Sequence, residues 1–338
     1  MRLRERLAIF DKLSDLPGLS EIEHAQIKHH KAKALKRLGE TGAAAELFEA
    51  VLAGPVSMDE ARLQLIDLYR GDRAMEQRSV ALVDEILEGI AAGRQVVYSV
   101  ILGFIERLPR GPAKWRDHLI ERHSATIERT IAEAADAGVQ QAFAAFAALG
   151  RYISTEHHSL FDKIYRRLPK PDGTALQNDN ELSYWAEIYS EAARLPGADA
   201  EALREQALRL YEAEANPQAF HTQRRAELLL DMGRPAEAEP LLRRRQGDLD
   251  RSEWIQRLMA RARLCQGFPL EAMDWIDKAL SKLKGDHFRA EFLELRFDIR
   301  RVIGDDGAVE DLEHAIAVSL KEQESIRLKA KLVALKAS

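Results

Sequence analysis

The chain has 338 residues, 46% of them hydrophobic and 31% charged, with a formal net charge of −5 and a pI near 6.1. This length could hold two or three domains, and the composition is far from that of a disordered chain. The acidic balance argues against a general nucleic-acid binder, which carries a basic excess.

A single cysteine, Cys265, excludes an internal disulfide framework and fits a reducing compartment. The opening segment MRLRERLAIFDKL is charged throughout and lacks the apolar stretch of a signal peptide. No run approaches the length of a membrane span, so a cytoplasmic location without a membrane partner is expected. Ala, Leu, Glu and Arg dominate, and the 19 glycines and 11 prolines are sparse, which favours helix.

A first helix is expected from about Leu3 to Leu13, closed by Leu16-Pro17-Gly18. Ser20 and Glu23 have capping-box spacing, in which each side chain satisfies the other's free backbone N–H. The helix that follows carries Ile22, Gln26, His29, Ala32 and Leu35 before Gly39 stops it. Its return helix, Gly42 to Leu52, places Ala44, Phe48 and Val51 together. Ser57 and Glu60 form a second capping box, opening a helix with Leu63, Ile66 and Tyr69 inward, and a partner helix runs from about Met75 to Ala92.

The run Gln95 to Leu108 is rich in Val and Ile, so a strand has to be weighed. Val97, Ile101, Ile105 and Leu108 nevertheless fall at helical spacing, and a buried helix is the better reading. Pro112 suits the first position of a long helix reaching Ala137, with Trp115, Leu119, Ile127 and Ile131 inward. An alanine-rich helix, Val139 to Ile153, presents Phe143, Phe146 and Leu149, and another covers about His158 to Leu168. Residues 169–181 are the longest aperiodic stretch and divide an N-terminal array, 1–168, from a C-terminal array, 182–338, as a candidate hinge.

Helices resume over Asn180 to Leu195 and Ala200 to Ala215, after which Asn216-Pro217 reads as a cap. A regular segment, 219–286, is followed by a further pair around Gly304. The last helix, about Leu320 to Ala337, reads as a cap with Ile326, Leu328, Leu332 and Leu335 on one side. Arg-Leu-Pro recurs at Arg107-Leu108-Pro109, Arg167-Leu168-Pro169 and Arg194-Leu195-Pro196, as a relic of duplication or as helix punctuation.

Within 219–286, Ala226, Gly233 and Ala238 return one period of 34 residues later as Ala260, Gly267 and Ala272. Ala32, Gly39 and Ala44 repeat the same offsets. Small residues sit where two helices cross, and glycine stops the first of them; a fixed period of this kind marks a repeat array. These residues, with Ala279 and Phe48, resemble the tetratricopeptide repeat family over about a third of the chain. The resemblance implies an all-α fold, an α-solenoid of stacked antiparallel helix pairs in a right-handed superhelix. It also implies that the first helices line a concave groove for a protein or peptide.

With the small residues inward, the groove stripe predicted in the regular pairs is Phe220, Gln223, Glu227 and Leu230, then Trp254, Arg257, Arg261 and Leu264. In the N-terminal pair it is Gln26, His29, Lys33 and Lys36. Trp254 beside Arg257 and Arg261 suits an acidic peptide, through charge-assisted bonds and apolar contact. The plainer reading is a solvated arginine face with Trp254 packed between helices.

Arg243, Arg244 and Arg245 could meet phosphate, or simply complement a helix end. His29-His30 and His157-His158 are adjacent pairs that diverge on a helix, and no metal-ligand spacing or phosphate-binding glycine loop occurs. Glu291, Glu294 and Asp298 share a face suited to ion pairing, and Cys265 is expected to be buried. No catalytic residue, cofactor or metal site is expected. The expected function is a non-enzymatic adaptor, scaffold or regulatory subunit, with a ligand-responsive sensor hinged at 169–181 as the alternative; the oligomeric state is not set by sequence.

Overall fold

The computed structural model describes residues 3–56, 58–69, 72–106, 108, 113–171, 176, 178–244, 252–283, 285, 288–319 and 322–337. Eighteen α-helices and one 3₁₀ turn account for nearly all of them, and no strand occurs among the described residues. The chain divides into two compact units, Met1–Lys170 and Pro171–Ser338. Of the stretch read as a hinge, residues 172–175 and 177 lie outside the described residues, as do Ser57, Arg107, Pro109, Pro112, Arg245 and the side chain of Trp115.

The N-terminal unit holds α1 (Leu3–Ser14), α2 (Glu21–Leu38), α3 (Thr41–Leu52), α4 (Asp59–Tyr69), α5 (Glu76–Ala91), α6 (Tyr98–Ile105), α7 (Ala113–Asp136), α8 (Gln141–Glu156) and α9 (His158–Arg167). Helix α2 begins at the expected capping box: the Ser20 hydroxyl accepts from the Glu23 N–H, and the Glu23 carboxylate accepts from the Ser20 N–H at 2.8 Å. It ends at Gly39, whose φ of 83° is a conformation that costs other residues a Cβ clash. Ala32 and Ala44 are fully buried at the α2–α3 crossing, with Phe48, Ala61 and Leu65 filling the layer toward α4. Small side chains at the crossing let the two backbones approach, and the aromatic ring one turn away fills the wedge that opens.

Several expectations are corrected here. Ile22 is 56% exposed, because the stripe of α2 that is covered begins only at Ala25. His29 is buried against Phe48 instead of facing a groove. Val97 is 69% exposed: it is the extended residue preceding α6, one position before helical geometry starts, so helical spacing does not apply to it. The rest of that run is a buried helix, with Ile101, Leu102, Phe104 and Ile105 all enclosed. Being apolar all round, α6 packs against both α4 and α8, and strict pairing is lost in this part of the unit.

The C-terminal unit holds α10 (Asp179–Ala192), α11 (Ala200–Ala213), α12 (Ala219–Asp231), α13 (Pro235–Arg243), α14 (Glu253–Cys265), α15 (Pro269–Lys282), α16 (Arg289–Ile303), α17 (Ala308–Val318) and α18 (Glu322–Ala337). These form the pairs α10–α11, α12–α13, α14–α15 and α16–α17, followed by α18. Ala226, Ala238, Ala260, Ala272 and Ala279 are all fully buried at crossings, and Gly233 and Gly267 have φ of 72° and 83°. The fold is therefore an all-α stack of antiparallel helix pairs, each burying its apolar side against the next.

The start of α12 departs from expectation. Its N-cap is Gln218, not Asn216. The Asp179 carboxylate instead accepts from the backbone N–H groups of Ala215 and Asn216, both at 2.9 Å, and fastens the connection after α11 to the head of α10. In α18, Leu328 is fully buried and Leu332 and Leu335 pack on the same core, but Ile326 is 54% exposed. It lies about 160° around the helix from Leu328, outside the covered stripe. Cys265, expected to be buried, is exposed as the last residue of α14, where the helix runs out into the turn.

Candidate functional site

In the C-terminal unit the first helices of successive pairs lie side by side, and charged side chains link them across the seams. Arg224 on α12 reaches back to α10, donating to Glu187 at 2.8 Å and to Glu191 at 2.9 Å, while its remaining nitrogen meets Glu227 of its own helix. Tyr211 donates its hydroxyl to Glu187 at 2.6 Å, and Arg194 pairs with Glu191. Next along the stack, Arg257 of α14 lies 3.7 Å from Glu227 and Arg261 lies 2.7 Å from Asp231. At the far end, Arg327 and Lys331 of α18 engage Glu294 and Asp298 of α16.

The first of these clusters is the most enclosed. The side chains of Glu187 and Glu191 are 5% and 1% exposed, and that of Arg224 12%. Burial alone would lower the Arg224 pKa, but Glu187, Glu227 and Glu191 hold it well above the ordinary arginine value. Burial would likewise raise Glu227, yet Arg224 and Arg257 keep its carboxyl below the usual range. Burial and the neighbouring Glu187 push the Tyr211 phenol well up, so it stays a hydrogen-bond donor. An ion cluster this dry is tolerated because nearly every oxygen has a charged or hydroxyl partner.

Between α14 and α16 the link is aromatic. The Trp254 ring meets Phe288 edge-on at 4.8 Å and Phe292 at 5.2 Å, and the Arg257 guanidinium lies over both Trp254 and Phe292, 5.4 and 5.6 Å from their centroids. Phe220, Trp254 and Phe288 stand 34 residues apart in sequence, each at the opening of a first helix. Phe220 is 40% exposed, Phe288 37%, and Trp254 half-buried, so apolar surface remains open along this edge.

The predicted stripe is thus distributed as follows. Phe220, Gln223, Glu227, Trp254, Arg257 and Arg261 all retain some exposure, whereas Leu230 is buried. Arg257 and Arg261 are not equivalent. Arg261 is matched closely by Asp231, while among the described residues Arg257 has only the long carboxylate contact to Glu227, and its buried Nε makes no hydrogen bond. Sequence reasoning missed Phe288, which the 34-residue spacing from Trp254 would have revealed. It also missed Arg224, whose signal is weaker: an arginine 37 and 33 residues after two glutamates of the preceding first helix.

In the N-terminal pair, Lys33 and Lys36 are occupied by Glu60 at 2.6 Å and Asp67 at 3.4 Å on α4. Glu294 and Asp298 are ion-paired, as their shared face suggests. Arg243 bonds Glu239 one turn back at the end of α13. Among the described residues no group of three or more His, Cys, Asp or Glu is placed to hold a metal ion, and no helix is long and apolar enough to cross a membrane.

No family model matches the sequence, and no curated protein matches it. Solved structures do. A tetratricopeptide repeat protein from Parabacteroides merdae is similar at 15% identity, covering 91% of this chain and 98% of that one, with a TM-score of 0.41. The APC/C hetero-tetramer Cut9–Hcn1 is similar at 12% identity, covering 99% of this chain and 75% of that one, with a TM-score of 0.41. The architecture itself stands on this chain's own helix pairs, their buried alanine crossings and their left-handed glycine stops.

Proposed function

We propose that this protein is a non-enzymatic interaction module whose C-terminal unit receives an acidic segment of a protein partner beside Trp254 and Arg257. One observation carries the reading. Arg257 is held between Trp254 and Phe292, yet its Nε is buried without a hydrogen-bond acceptor and its nearest carboxylate is 3.7 Å away. A buried donor without an acceptor is costly, and a carboxylate placed there would relieve that cost while the indole offers apolar contact. The open edges of Phe220 and Phe288 extend the apolar part of the contact to either side. Arg261, already matched by Asp231 at 2.7 Å, is the lesser contributor.

A photo-crosslinking residue at Gln223 is expected to capture a partner that the same probe at Met273, on the second helix of the next pair, does not. The doubly reversed variant Arg257→Glu/Arg261→Glu is expected to lose that partner. Capture equal at both positions, or unchanged affinity in the double variant, would place the contact elsewhere.

A further inference from the structure

We propose that a second site, on the other side of α12, binds a compact organic oxyanion: a carboxylate or phosphate group on a small apolar stem. The site is a cavity of about 190 Å³ lined by Tyr211, Pro217, His221, Thr222, Arg225, Leu241 and Arg244, where the end of α11, the start of α12 and the end of α13 meet. His221 and Arg225 lie one turn apart on α12, on the side away from Gln223 and Glu227, and the His221 ring meets Phe220 edge-on with centroids 6.1 Å apart. The cavity shares no lining residue with the Trp254 surface.

Two arginines and a histidine line it. Arg225 donates through one terminal nitrogen to Glu212 at 2.6 Å, but its Nε is buried and makes no hydrogen bond. Arg244 makes no side-chain hydrogen bond or ion pair among the described residues. His221 is fixed through Nδ1, which lies 2.8 Å from Glu214, leaving Nε2 as the ring's remaining polar atom. Glu214 itself is fully enclosed, and burial pushes its carboxyl up despite the opposing pull of His221. Glu212 is engaged by Arg225 and one oxygen of Glu214 by His221, while the second Glu214 oxygen is buried without a hydrogen bond; among the described residues the donors left over at the cavity belong to Arg225 and Arg244.

The walls limit what can enter. Pro217, Leu241 and the Tyr211 ring supply apolar contact, and the Tyr211 hydroxyl is turned to Glu187. The volume falls short of the roughly 300–1,000 Å³ of drug-sized pockets and suits one ring or one side chain with a charged end. Arginine in fork geometry is matched to planar carboxylate and to phosphate alike, so both carriers share one recognition chemistry.

The test is a titration of the full chain with benzoate, phenyl phosphate and uncharged benzyl alcohol, read by calorimetry and by the arginine Nε–H resonances in NMR. Saturable binding of one or both anions, with a shift at the Arg225 Nε and none with benzyl alcohol, is expected; the stronger anion identifies which group the site takes. Arg244→Ala should weaken that binding about tenfold, the loss of one charge-assisted hydrogen bond. Arg243→Ala, whose side chain bonds Glu239, should leave it unchanged. No saturable shift with either anion, equal response to benzyl alcohol, or an Arg244→Ala variant that binds like the parent would each overturn the assignment.

Discussion

Replacing Arg224 with methionine keeps most of the side chain's length and its apolar stem but removes the charge that three carboxylates share. Glu187 would keep Tyr211, Glu191 would keep Arg194, and Glu227 would keep its 3.7 Å contact with Arg257. Two of those carboxylates are almost fully enclosed, so water cannot replace the lost partner. Removing one member of a buried ion cluster costs about 3–5 kcal/mol, most of it the penalty of leaving the other charges stranded. Trp185, Trp254 and Trp275 all lie in the C-terminal unit, so tryptophan emission during urea unfolding reports chiefly on it.

The expected result is a midpoint lowered by about 1.5–2.5 M at pH 7, taking a slope of about 2 kcal/mol per molar. The pH dependence supplies a second reading. In the parent, Glu227 has a lowered pKa, so its contribution is present above 4.5 and fades as the pH falls through the folded value. In Arg224→Met the stranded carboxylates can escape by taking up protons, and the gap between the two proteins should narrow from pH 7 to pH 4. A loss under about 1 kcal/mol with a constant gap would mean the cluster is solvated and that the cited burial cost does not apply.

Three further outcomes follow from the packing. Ala260→Leu inserts a branched side chain at a fully buried crossing and should cost about 1–3 kcal/mol by overpacking, measured by the same unfolding assay, with Ala→Ser at that site nearer to the parent. Gly233→Ala meets nothing within 4 Å, so its cost is that of holding φ at 72°, about 1–2 kcal/mol; a smaller loss would show that the turn relaxes. His29 is held neutral by burial, which outweighs the pull of Glu60. Its contribution is complete above the unfolded value near 6.5 and declines as the pH drops below it, so thermal stability between pH 7 and pH 5 should fall more in the parent than in His29→Gln.

The pair architecture was legible where two signals coincided, as at Ala226-Gly233-Ala238 and Ala260-Gly267-Ala272. There a small residue and a residue free to take positive φ sit at fixed offsets that return after 34 residues. The errors fall where a helical wheel was extended past the covered part of its helix. Ile22 and Val97 lie on or just before a first turn, and wheel position says nothing about whether a neighbour reaches that far. Ile326 failed because, two residues before Leu328, it points away from the face of α18 that meets the core. Of the candidate surface, the contact between Trp254 and Arg257 was legible because an aromatic and a cationic residue stand one turn apart on a single helix. The link from Arg224 to Glu187 and Glu191 was not, because ion pairs between different helices depend on how adjacent pairs are offset, which a single sequence does not encode locally.

The charged links between first helices also have a polarity. In the C-terminal unit the acids always belong to the earlier helix and the bases to the later one: Glu187 and Glu191 before Arg224, Asp231 before Arg261, Glu294 and Asp298 before Arg327 and Lys331. Between α2 and α4 of the N-terminal unit the sense is reversed, with Lys33 and Lys36 preceding Glu60 and Asp67. The C-terminal stack therefore grows as a magnet chain would, each first helix offering acids to the next and bases to the one before. The α2–α3 hairpin set directly ahead of α14 would bring Lys33 and Lys36 against Arg257 and Arg261, so that exchange is electrically penalised.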